Sequence, residues 1–116
     1  MEDRFLQQLK KGVLEMLVLE LLCRKPSYGY ELLSEIKCRS NGMFALKEGT
    51  LYPILYRMED EGLIVSDWMQ GNGRSAPKKV YTATPSGHVA CKNRRDIWEA
   101  FVGTVDLFRE GGSCNG

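Results

Sequence analysis

The sequence predicts a mostly α-helical domain that carries one small β-hairpin. Three observations predict it. Apolar residues recur at helical spacing over residues 4–24, again after Ser27, and again in the stretch "KEGTLYPILYRMEDEGLI". Two short runs rich in β-branched and aromatic residues, "LIVSDWMQ" and "KKVYTAT", flank the Gly- and Pro-rich segment "GNGRSAPK". A last amphipathic helix follows "TPSGH".

At 116 residues the chain suits one domain with a modest core. A strongly apolar helix left over is then expected to pair with a second copy. The formal net charge of +1 announces no nucleic-acid or membrane partner in bulk, so local charge must carry that argument. No apolar run approaches the ~20 residues of a membrane span. The opening "MEDRFLQQLKKG" is too polar for a signal peptide, and a cytoplasmic protein is expected. Cys23, Cys38, Cys91 and Cys114 show no C-x-x-C spacing, and His88 is the sole histidine. Reduced thiols are expected, with no metal and no cofactor. No nucleophile–base pair and no phosphate-cradling loop ahead of a helix is apparent, which argues against an enzyme.

The first helix, residues 4–24, has two apolar stripes: Leu6, Leu9, Val13, Met16 and Leu17 on one face, Leu14, Val18, Leu21 and Leu22 on another. A helix apolar over most of its girth is buried on more than one side. One side is expected to meet its own domain and the other a partner. "RKP" closes it. Ser27 is a plausible N-cap for the second helix, whose inner face is Leu32, Leu33 and Ile36. Asn41-Gly42 marks a turn. The third helix either is capped by Thr50, with Pro53 in its first turn, or starts nearer Lys47 and kinks at Pro53. Leu51, Leu55 and Met58 form its inner face, with Tyr52, Tyr56 and Arg57 beside or opposite it. Gly62 ends it.

The two strands form a hairpin with a projecting loop. Residues 71–79 hold Arg74, Lys78 and Lys79 and no acid, so the loop carries local positive charge. Thr84 caps the last helix, with Pro85 at its first position. Trp98, Phe101, Val102, Val105 and Phe108 make its stripe. The tail "EGGSCNG" is small and polar and is expected to be flexible.

Three helices followed by a charged hairpin is the winged helix-turn-helix layout, here with one further helix. In that layout the third helix reads a DNA groove. Thr50 offers a hydroxyl and an early helical N–H to a phosphate. Tyr52 and Tyr56 offer phenol hydroxyls, although Tyr56 taken alone reads rather as core. Pro53 can touch a thymine methyl, and Lys47 can reach a phosphate. Arg74 at a hairpin tip suits a minor groove or phosphate.

The segments "YGYELL" (28–33), "EGTLYPILYRMEDEGLI" (48–64), "GNGR" (71–74) and "VYTATPSG" (80–87) resemble the PadR-type transcriptional regulators. The resemblance runs from about residue 10 to residue 108, and the single last helix is similar to the short members. It implies a homodimer held by the first and last helices. It implies repression through (pseudo)palindromic double-stranded DNA, in some members relieved by a small aromatic or phenolic ligand. It adds Tyr28 and Tyr30 to Thr50, Tyr52, Pro53 and Arg74 as DNA-contact positions; Lys47, Arg57, Lys78 and Lys79 complete the candidate set. At the dimer seam Trp98 either stacks on a flat ligand or serves as an interface anchor, with Phe101, Val102 and Val105 as packing and Leu6, Val13 and Met16 lining the same space. Two departures stand out: Val80 precedes Tyr81 where a second Tyr is common, and Glu48 precedes Gly49, where a carboxylate would restrict base preference. The expected division is a winged domain over 4–84, a dimerisation helix over 85–110 and a flexible tail over 111–116. A different class, a winged-helix adaptor using these surfaces for protein contacts, is favoured only by the near-neutral charge.

Overall fold

The computed structural model describes residues 3–111 and Cys114. The elements follow in the order α1 (Asp3–Arg24), β1 (Ser27–Tyr28), α2 (Gly29–Arg39), α3 (Glu48–Asp60), β2 (Ile64–Met69), β3 (Lys78–Ala83) and α4 (Pro85–Leu107). This is the mostly helical, winged helix-turn-helix class that the pattern predicts. The flexible tail expected over 111–116 falls largely outside the described residues.

The sheet has one strand more than the hairpin predicts. Its order is β1-β3-β2, and both pairings are antiparallel. Ser27 pairs with Tyr81 and Tyr28 with Val80, so the chain leaving α1 is stitched to the wing before α2 starts. That pairing removes Ser27 from the expected capping role. Its backbone is in the strand, it is buried, and its hydroxyl donates to the Lys25 carbonyl at 3.3 Å. Tyr28 takes the N-cap position instead, and its backbone N–H donates to Glu31 Oε1 at 3.1 Å.

The expected Thr50 cap is also overturned, in favour of the earlier start. Lys47 is the N-cap, and its carbonyl accepts from Thr50 N and Leu51 N at 3.0 and 3.1 Å. Pro53 therefore sits inside the helix. The carbonyl it leaves without a donor belongs to Gly49, which is exposed to water. Burial of Leu51, Ile54, Leu55 and Met58 on the inner face outweighs that loss, since each fully buried side chain of this size contributes roughly 1.5–3 kcal/mol. The helix closes at Gly62, whose φ of 75° only glycine adopts readily.

The core lies where α1, α2 and α3 meet the inner face of the sheet. α1 contributes Leu14, Val18, Leu19 and Leu22, which includes most of one expected stripe. Its other stripe leaves Leu6, Val13, Met16 and Leu17 half-buried and Leu9 exposed. α4 is rooted rather than packed. Thr84 caps it, accepting from Gly87 N at 3.0 Å, and only Gly87 and Cys91 are buried along its length. Arg95 grips Glu20 of α1 through Nε on Oε1 and through Nη2 on Oε2 at 2.9 Å. This hydrogen bond holds the Glu20 carboxyl below its usual value. Beside it, the Cys23 thiol donates to the Gly87 carbonyl at 3.8 Å, and burial pushes the Cys91 thiol up to about 12.

Candidate nucleic-acid interface

α2 and α3 are joined by a turn in which Asn41 (φ 51°) and Gly42 (φ 84°) are both left-handed. The Gly42 N–H returns to the Lys37 carbonyl at 2.9 Å. With the inner face of α3 committed to the core, its outer face carries Glu48, Gly49, Thr50, Pro53, Tyr56 and Arg57, all exposed. Glu48 lies in the first turn, where a carboxylate suits the helix dipole.

The candidate residues divide by what already holds them. Lys47, Thr50 and Pro53 present to solvent along the N-terminal half of α3, and Tyr30 is 69% exposed near the start of α2. Tyr52 does not project in the same way. It is half-buried, and its phenol lies so close to α2 that a methyl group on Gly29 would meet Oη at 2.3 Å. Its ring clamps the start of α2 against α3. Tyr56, four residues on, is 52% exposed, with its ring 6.0 Å from that of Tyr52. Tyr28 is half-buried in the sheet under the Lys78 ammonium, which stands 4.3 Å from its ring centre. Arg57 reaches back to α1, Nε to Glu15 Oε1 at 3.4 Å.

The wing rises beside α3. Arg74 is exposed next to Gly73, whose φ is 60°. Lys79 is half-buried, 4.0 Å from Glu59 of α3 and 5.6 Å from the Tyr56 ring centre. The Ser66 hydroxyl donates to the other Glu59 oxygen at 2.8 Å. Glu59 therefore braces α3 to both wing strands. Tyr81 is wholly buried on the same sheet face. Its hydroxyl has no partner among the described residues, and burial pushes it up to about 12. Trp68, not singled out by the sequence, stands 65% exposed on β2, opposite Lys79.

The expected seam residues are only partly gathered. A groove of about 590 Å³ between α1 and α4 is lined by Val13, Met16, Trp98 and Phe101, with Leu9 and Ile97 beside them. Leu6, Val102 and Val105 lie outside it. Beyond Arg95 α4 exposes an apolar strip, with Phe101 at 59% and Val105 at 45%. No group of three His, Cys, Asp or Glu placed to hold a metal occurs among the described residues. Among them, too, no helix is long and apolar enough to cross a membrane.

A three-helix unit with an exposed third-helix face, a flanking basic wing and a rooted last helix defines a winged-helix transcriptional regulator. The chain belongs to the Transcriptional regulator PadR-like family, whose pattern matches residues 18–93. A PadR-family regulator from Eggerthella lenta superposes with a TM-score of 0.82 at 32% identity, over 94% of this chain and 92% of that one. Transcriptional regulator Rv3488 of Mycobacterium tuberculosis is 39% identical over 62 residues, 53% of this chain and 56% of its own. Bacillus subtilis PadR, solved in complex with operator DNA, superposes with a TM-score of 0.62 at 31% identity, over 70% of this chain and 45% of that one.

Proposed function

We propose that this regulator represses transcription by binding a (pseudo)palindromic operator as a homodimer. The observation that carries the reading is the juxtaposition of an open α3 face with a basic wing, on a fold shared with an operator-bound PadR. Lys47, Thr50, Pro53 and Tyr56 approach base edges and phosphates, while Tyr28 and Tyr30 support the same strand from the N-cap and first turn of α2. Arg74 and Lys78 hold phosphate or minor groove. Tyr52, Arg57 and Lys79 act mainly by bracing, because each is already engaged within the chain.

The winged domain spans 4–84 and the dimerisation segment 85–110, built on α4. The apolar strip of α4 and the outer stripe of α1 close against a second copy. The groove lined by Trp98, Phe101, Val13 and Met16 then receives a flat aromatic or phenolic ligand that releases the DNA.

The test is a gel-shift titration against the DNA upstream of the protein's own gene, at low and moderate salt, with unrelated duplex as competitor. Binding that survives competitor is expected. Arg74→Ala should weaken it broadly and lower the salt slope by roughly one. Binding only at low salt, equal on all DNA, would mean either that the operator lies elsewhere or that these surfaces serve protein contacts in an adaptor.

A further inference from the structure

We propose that Trp68 is a DNA-backbone contact, its indole lying on a deoxyribose–phosphate segment beside the groove that the wing tip enters. The inference rests on the operator-binding reading above and extends the interface to a side chain that no basic or recognition-helix pattern includes. Side chains alternate along β2. Ile64 is buried in the core, Ser66 is half-buried and bonded to Glu59, and Trp68 is next on that face, 65% exposed. Its cross-strand partner is Lys79, whose ammonium stands over the Tyr56 ring. Trp68 therefore continues the surface that α3 presents at Tyr56, on the side of the wing that faces the recognition helix.

The local charge selects the occupant. Across residues 64–83 the bases are Arg74, Lys78 and Lys79, and the single acid is Asp67. Asp67 lies one position along the strand, hence on the opposite face, and its carboxylate accepts the Trp68 backbone N–H at 2.9 Å. An exposed apolar ring on a hairpin with three bases and one acid, paired across the strands with Lys79, suits a polyanion that also offers apolar surface. Deoxyribose supplies that surface and phosphate supplies the charge. The indole N–H, which donates to no group among the described residues, suits a phosphate oxygen. A Trp also orders few torsions on contact.

The experiment uses the full chain and a duplex selected by the protein from a random-sequence pool. Affinity and its salt dependence are measured for wild type, Trp68→Ala and Trp68→Phe, with tryptophan emission followed on saturation with the duplex. Trp68→Ala is expected to weaken binding roughly tenfold with an unchanged salt slope, because no charge is removed. Trp68→Phe should recover most of the affinity. The wild-type emission should change on binding, and that change should vanish in Trp68→Phe. If Trp68→Ala binds within twofold of wild type, or the emission change persists in Trp68→Phe, the inference is overturned while operator binding stands. If Trp68→Ala fails to fold, the emission comparison still decides. If wild type selects no duplex, both readings fall together.

Discussion

Gly87→Ala should uncouple the last helix from the domain. A Cβ on Gly87 would lie 2.0 Å from the Leu63 carbonyl oxygen and 3.1 Å from its carbon. Carbon–oxygen contacts settle near 3.4 Å, so the two backbones would have to part by about 1.4 Å. No side chain can swing aside to provide that space. The Leu63 carbonyl also accepts the Thr84 N–H at 3.0 Å, and the Thr84 hydroxyl in turn caps α4 and donates to the Gly62 carbonyl. Separation therefore strains a cap as well as a contact. Overpacking costs about 1–3 kcal/mol and the weakened hydrogen bond about 1 kcal/mol more. The helix-propensity gain of Ala offsets up to about 1 kcal/mol. With that offset in full the net loss is about 1–3 kcal/mol, or roughly 5–15 °C in Tm for a chain of this size. Thermal melting followed by circular dichroism, at one fixed protein concentration, measures it. A Tm within about 2 °C of wild type would refute the reasoning.

Gly29→Ala should cost about 1–2 kcal/mol by displacing Tyr52, and that cost should disappear in a Tyr52→Ala background; equal costs in both backgrounds, by denaturant titration, would show that the ring does not hold α2. Tyr81→Phe deletes a buried hydroxyl without a partner while keeping the ring, so stability should stay level or rise by about 1 kcal/mol. Because burial raises the Tyr81 pKa from 10.0 to about 12, its protonated form is the one the fold favours. Wild-type stability should thus hold below pH 10 and fall as pH rises toward 12, more steeply than in Tyr81→Phe; parallel slopes in alkaline melts would contradict this. Phe101→Glu changes a side chain that is 59% exposed within its own chain. Its helicity should survive while the mass seen in sedimentation halves, and an unchanged mass would place the dimer contact elsewhere.

Features set by neighbours in the chain were legible in the sequence. The left-handed turn at Asn41-Gly42, the stop at Gly62 and the Thr84-Pro85 start each follow from the chemistry of one or two residues. Long-range pairing was not legible. Ser27 looks like a cap because it is a serine ahead of a helix, but its pairing with Tyr81, 54 positions away, commits it to a strand. Thr50-Pro53 looks like a helix start because proline is tolerated there, yet core packing of Leu51 and Ile54 carries the helix back to Glu48. The same limit governs the site. Tyr52 and Tyr56 are one helical turn apart and indistinguishable by pattern, and only the missing side chain at Gly29 draws the first inward. Trp68 shares its strand face with Ile64, so alternation alone reads it as core. That the strand outruns the helices is a property of the assembled domain.

The rooting of α4 has a mechanical consequence. Its buried anchors, Gly87 and Cys91, sit within the first two turns, and the Arg95–Glu20 pair follows one turn on. At 1.5 Å per residue, the 12 residues beyond Arg95 are a cantilever about 18 Å long. A tilt of about 10° at that anchor would move its tip by about 3 Å, close to the rise of one base pair. If two such arms clasp in a dimer, the spacing between the two reading heads is set at the fulcrum. A side chain or ligand wedged between α1 and α4 there would be geared up into a change of half-site register.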